Sequence, residues 1–301
     1  MLRPEFKWEL RSRRLALGER TVVMGVLNVT PDSFSDAGRH FSRPKAVAHA
    51  LAMVKDGADI IDIGGESTRP GSKAGTAGVA AKEELRRVLP VIEELRRRNP
   101  KILISIDTYK AEVARAAVEA GAEIVNDVSA GRWDPAMLST VAELKCGLVL
   151  MHMRGRPEEW RKLPRMGADE LLTLVAGELA ERAEEAIGHK VGRERIVLDP
   201  GFGFGKNFEE NYPLLARFHE LHKLGFPLLA GTSRKSFVGR LMARDGKDAA
   251  VEQRSNGTLA TVVASILQGA HIVRVHDVKP AVEAARVADV VLSEQTSKEF
   301  F

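Results

Sequence analysis

At 301 residues the chain exceeds the usual single-core domain but matches a closed α/β barrel, and 44% hydrophobic content supplies a large core without any apolar run near the roughly 18 residues of a membrane span. Its 45 basic residues interleave with 41 acidic ones for a net charge of +4, so the short basic runs at 11–14 and 96–98 read as solvated helix faces and not as a nucleic-acid stripe. A single cysteine, Cys146, excludes a disulfide framework and a thiolate metal site and points to a soluble protein of the reducing cytoplasm.

The first ten residues mix charges with Phe6 and Trp8 and lack the apolar centre of a secretory signal. Residues 6–17 hold two short strand-like runs separated by basic residues, which predicts a hairpin plugging the floor of a barrel, within an N-terminal extension of residues 1–20. A β-branched strand at 24–28 then ends on Asn28 and spills into a polar loop reaching Asp36. The same design, a short apolar run with a polar tip, recurs at 60–64, 102–107, 124–127, 149–152, 196–199, 228–233 and 272–276. Helical periodicity occupies 45–55, 82–98, 111–120, 135–144, 168–187, 211–224, 253–268 and 278–292, with glycines after several of these segments marking their ends.

Strand and helix alternate eight times. Parallel strands cannot be joined by hairpins, so the alternation predicts crossover helices and one domain over 1–301, an α/β (β/α)8 TIM barrel with a short tail at 294–301. An open doubly wound sheet competes, but no Gly-x-Gly-x-x-Gly turn follows the first strand.

In a barrel the eight strand C-termini open on one face, which would gather Asn28, Asp62, Asp107, Asn126, His152, Asp199, Lys235, Arg274 and His276. Asp107, Asn126 and Asp199 offer the acceptors and donors needed to read the edge of a planar, amide-rich heterocycle, although any one alone could simply cap a helix. Arg274 and His276, two apart on the last strand, suit a doubly charged anion; for an isolated Arg-Val-His the plainer reading is a surface ion pair with Asp277 beside a packed histidine. The segment 199–206 alternates glycines with Phe202 and Phe204, so Phe204 is a candidate pocket wall. The 64–71 loop and the Gly/Ala-rich stretch after it suit a lid or a linker, and residues 231–236 open a helix that could hold a carboxylate.

Together these segments resemble the dihydropteroate synthase family, the folate-pathway enzymes inhibited by sulfonamides, from Val22 to about Ser293. The matching motifs are 28–36, 64–71, 106–108, 126–127, 199–206, 233–236 and 274–277. The resemblance implies condensation of 6-hydroxymethyl-7,8-dihydropterin diphosphate with 4-aminobenzoate through a carbocation-like intermediate, releasing pyrophosphate. It implies pterin contacts from Asp107, Asn126, Met151, Asp199, Lys235 and Arg274. Diphosphate contacts would come from Asn28, Arg274 and His276, with Asn28 also reaching a Mg2+. Phe34, Ser67, Thr68, Arg69, Pro70, Phe204, Gly231, Ser233 and Lys235 would form the 4-aminobenzoate pocket, and Asp36 with Asp107 would stabilise the cation. A homodimer through late barrel helices is implied as well. A corrinoid methyltransferase using methyltetrahydrofolate has a similar barrel but no diphosphate leaving group. A departure from the family pattern is Ala80, where a capping serine commonly precedes the helix.

Overall fold

The computed structural model describes residues 3–30, 42–66 and 78–297. A two-stranded antiparallel hairpin, β1 (Phe6–Glu9) and β2 (Arg14–Leu17), pairs Phe6 with Leu17. Eight parallel strands come next in the chain: β3 (Val22–Asn28), β4 (Ile60–Gly64), β5 (Leu103–Asp107), β6 (Ile124–Asp127), β7 (Gly147–Met151), β8 (Ile196–Asp199), β9 (Leu229–Ala230) and β10 (Ile272–Val275). Their hydrogen-bonded order is β8-β7-β6-β5-β4-β3-β10-β9. The ends of this sheet meet where Leu198 bridges Leu228 and the Leu198 N–H donates to the Pro227 carbonyl at 3.0 Å. The barrel reading holds because that seam joins what an open sheet would leave as edges.

The helices are α1 (Arg43–Lys55), α2 (Ala81–Arg98), α3 (Ala111–Glu119), α4 (Met137–Leu144), α5 (Ala168–Gly188), α6 (Asn211–Ala216), α7 (Ser236–Leu241), α8 (Ser255–Leu267) and α9 (Val278–Ser297). Three sequence expectations shift. The run at 228–233 yields only the two ladder residues of β9. The helix expected over 211–224 splits into α6 and a tighter 3-10 stretch, Phe218–Leu224, and α8 is led by a 3-10 turn at Val251–Arg254. At α2 the N-cap is Ala80, which offers no side-chain acceptor, an omission that costs about 1 kcal/mol. The first turn is fastened instead by Lys110, whose ammonium donates to Glu84 at 2.5 Å and also to Glu66.

Two apolar layers arise from strand alternation. Outward residues such as Ile61, Ile104, Leu148 and Leu198 pack against the helices. Inward residues Met24, Ile60, Leu103, Ile124, Val149, Val197, Leu229 and Ile272 fill the lower barrel, and Trp8, Leu10 and Leu17 of the hairpin segment close it from below. Trp8 is fully buried and its indole N–H donates to the Arg195 carbonyl at 2.8 Å, so the plug is anchored by a polar tip as well as by packing.

Candidate active site

The residue two positions beyond each inner core residue also faces inward, one tier higher. From Ile60 this is Asp62; from Leu103 it is Ser105 and then Asp107. Ile124 leads to Asn126, Val149 to Met151, Val197 to Asp199, Leu229 to Gly231, Ile272 to Arg274, and Met24 by two steps to Asn28. An apolar lower tier therefore carries a polar upper one. The ladder sets Asn28 beside Gly64, Gly64 beside Asp107 and Asp107 beside Asn126, so four neighbouring strands bring these ends to one height.

Asp62 is the hub of this tier. Fully buried, its Oδ2 accepts from Arg274 Nε at 2.6 Å and from Asn126 Nδ2 at 3.1 Å, while Arg274 NH2 donates to Asp107 Oδ2 at 2.6 Å. Burial alone would lower the Arg274 guanidinium, but Asp62 and Asp107 hold it above its ordinary value. Burial pushes the Asp107 carboxyl up, with Arg274 opposing; Asp199 is raised by burial too, opposed by the Gly201 N–H that donates to it at 2.7 Å and by Lys235. Asp62 stood on the expected rim but without a role, and its signal was the alternation that places it directly above Ile60. The plainer reading of Arg274 fails as well, because Asp277 pairs instead with Arg234 at 2.6 Å.

Gly231 is close beside Asp199 and Arg274: a Cβ there would lie 3.8 Å from Asp199 Oδ2 and 4.0 Å from Arg274 Cβ. Ser233 Oγ lies 3.0 Å from His276 Nδ1 and accepts the His276 backbone N–H at 3.2 Å, which joins the segment after β9 to the end of β10. Lys235 ends that segment, with its ammonium 3.9 Å from the centre of the Phe204 ring. Phe204 clusters with Met151, Met153, Tyr109 and Val128, and Trp160 meets it edge-on at 5.5 Å.

Two polar tips turn out to face the other way. His152 follows the outward Leu150, is buried, and contacts Lys206 at 2.9 Å. Asp127 accepts from the Ser129 N–H and hydroxyl and from the Gly131 N–H, which makes it a turn-former. Phe34, Asp36, Ser67, Thr68, Arg69 and Pro70 lie outside the described residues.

A barrel whose mouth combines buried carboxylates, an amide and an arginine above an apolar tier defines a binding site for a polar ring, and the profile of the pterin-binding enzymes matches residues 24–276. The dihydropteroate synthase of Escherichia coli strain K12 is 45% identical over 278 residues, spanning 92% of this chain and 94% of the relative. Among solved structures, Xanthomonas albilineans dihydropteroate synthase with 4-aminobenzoic acid superposes with a TM-score of 0.85 at 44% identity, covering 96% of this chain and 98% of that one. Yersinia pestis dihydropteroate synthase in a sulfonamide drug complex gives 0.86 at 42% identity, covering 96% and 100%. The chain belongs to the pterin-binding enzyme family and, within it, to the dihydropteroate synthases. It is a transferase of folate biosynthesis.

Proposed function

We propose that the upper tier grips the pterin of 6-hydroxymethyl-7,8-dihydropterin diphosphate through Asp107, Asn126, Asp199 and Lys235, with Met151 lining the slot and Arg274 against the ring. Asn28, Arg274 and His276 hold the diphosphate. Phe204, Gly231, Ser233 and Lys235 build the described part of the 4-aminobenzoate pocket, to which Phe34, Ser67, Thr68, Arg69 and Pro70 belong on the family pattern. The observation that carries this reading is the Asp62–Arg274–Asp107 bridge at 2.6 Å on each side, beside Asn126. It fixes a cation and several acceptors at the height where a ring and its departing anion would meet.

The C–O bond to the diphosphate breaks first, leaving its electron pair on pyrophosphate and a cation at the exocyclic methylene stabilised by the electron-rich dihydropterin. The aminobenzoate nitrogen then forms the C–N bond and sheds a proton. Arg274 and His276 stabilise the leaving anion, while Asp107 and Asp36 stabilise the cation. Loops closed over the site would keep water from trapping that cation.

Asn28 fits a Mg2+ shared with the diphosphate. Its amide oxygen is a hard neutral donor at a strand end, beside Gly64 and one strand from the Asp107 carboxyl. That donor set matches an ion held largely by phosphate oxygens and water. When bound, Mg2+ would neutralise charge developing on pyrophosphate.

Sulfonamides would compete with 4-aminobenzoate for the Phe204 side of the pocket. The exposed Val287 and Val290 on α9 support a homodimer through late helices, which sedimentation of the purified chain would check. No helix among the described residues is long and apolar enough to cross a membrane, and a cytoplasmic location accords with the single-cysteine composition.

A coupled pyrophosphate assay tests the assignment. Release should require both substrates at the steady state and Mg2+, and Lys235→Ala should abolish it while the circular dichroism spectrum stays unchanged. Undiminished turnover in Lys235→Ala would remove that lysine from the site.

A further inference from the structure

The segment 199–206 presents Phe204 to the pocket, and the way it is held singles out a group that does not face the pocket. Three glycines here, Gly201, Gly203 and Gly205, adopt positive φ. A Cβ at Gly201 would collide with the His152 carbonyl, and one at Gly205 with the Arg154 carbonyl. The loop therefore lies against the chain that leaves β7, and on its other side it is held by Phe202, buried and stacked on Phe218, and by the Gly203 N–H, which donates to Asn211 Oδ1 at 2.7 Å. Lys206 adds a separate attachment at Gly201 and Phe204. It is buried, 7% exposed, and its ammonium donates to the Gly201 carbonyl at 2.9 Å and the Phe204 carbonyl at 3.2 Å, with His152 Nδ1 at 2.9 Å.

An ammonium carries three donors, and three acceptors surround this one. The match requires His152 to be neutral with its proton on Nε2, and burial does hold that ring well below its usual value. Nε2 then faces the Glu178 carboxylate of α5 at 3.5 Å. Burial lowers the Lys206 ammonium to about 7 against the pull of Asp199, and the three acceptors favour its charged form. A cation kept in so closed a place without an anion in direct contact needs a compensating role. Its contacts supply one, because they tie Gly201 and Phe204 to a single point and, through His152, tie that point to β7.

We infer that Lys206, seated on His152, is a positioning residue that sets the height of Phe204 under Lys235 and thereby the affinity of the 4-aminobenzoate pocket. The inference rests on the proposed place of Phe204 in that pocket. Pterin contacts depend on it less, because Asp199 ends a ladder strand and is fixed there by its pairing with Met151 of β7, whereas Phe204 lies in the loop beyond.

Steady-state kinetics of the full chain separates these roles. In Lys206→Met the KM for 4-aminobenzoate should rise about tenfold or more while that for the pterin diphosphate stays within about threefold. His152→Leu should move in the same direction, and His152→Gln, which keeps an acceptor for the ammonium, should return towards wild type. Equal rises in both KM values, or no rise in either, would overturn the inference by making the lysine a general brace or an idle one. Should Lys206→Met fail to fold, the Leu-against-Gln comparison at 152 decides alone, and equal behaviour of the two would overturn it. Phe204→Ala separates the parent reading. An unchanged 4-aminobenzoate KM there sinks the pocket assignment and this inference with it, whereas a raised one with unaltered Lys206→Met sinks this inference alone.

Discussion

Asp62 shows how much one buried carboxylate organises. It has no solvent exposure, yet two of its neighbours, Arg274 and Asn126, are groups proposed to touch substrate, and both are aimed by the same oxygen. Removing one partner of a buried ion pair costs far more than removing an exposed one, because the other charge is left without compensation. Arg274 keeps Asp107 as a second partner, so Asp62→Asn should loosen its aim more than it destabilises the barrel. The expected outcome is a fall in kcat/KM of about 100-fold, equivalent to ~2.7 kcal/mol, with a cooperative melt retained. A variant within threefold of wild type would mean that Asp107 alone orients the arginine.

At the scale of elements, the hairpin and the mouth divide stability from function. Trp8 fills the lower tier beneath Val149 and Val197, two strand positions below Met151 and Asp199. Trp8→Ala should cost about 3–5 kcal/mol in denaturant titration and leave both substrate KM values unchanged, since no hairpin residue reaches the upper tier. A changed KM at an unchanged midpoint would contradict this division. The elements themselves were largely readable because short apolar runs of four to six residues, each followed by a helical period, admit few alternatives. Their C-terminal ends were readable too, which placed Asp107, Asn126, Asp199 and Arg274 on the rim; the same rule also placed His152 there, although it follows the outward Leu150 and turns away with it. The break after Ala216 was harder to see, since Leu214, Leu215, Phe218 and Leu221 also satisfy a helix face. Yet Leu215, Phe218, Leu221 and Leu224 recur every third residue, the period of the 3-10 helix found there. The inward tier was legible from one strand at a time. The Lys206–His152 contact was not, because it joins two residues that both leave the barrel axis and meet only when β7 and β8 are placed side by side.

For the whole molecule, the acid limit of stability should be set in part beneath the barrel. His271 is fully buried: its Nδ1 accepts the Leu228 N–H at 3.0 Å, and Nε2 lies 2.8 Å from the Pro4 carbonyl, so the neutral ring links the N-terminal segment to the β9–β10 side of the seam. Protonation would put a second N–H against the Leu228 donor. Burial holds His271 down at about 3, and holds its edge-on neighbour His222, 5.4 Å away, at about 4. An unfolded histidine takes up its proton near 6.5. Between that value and the folded ones the unfolded chain binds more protons, so stability is lost as pH falls through the window from about 6.5 towards 4 and then 3. His222→Phe keeps an aromatic ring and deletes one of the two protons. Unfolding free energies measured between pH 6.5 and 4.5 should then fall less steeply than in wild type, by up to about 1 kcal/mol per pH unit once partial solvent screening is allowed for. Because slopes are compared, any baseline change from the substitution cancels. Parallel slopes would show that His222 takes up no extra proton on unfolding and that the acid limit lies with other groups.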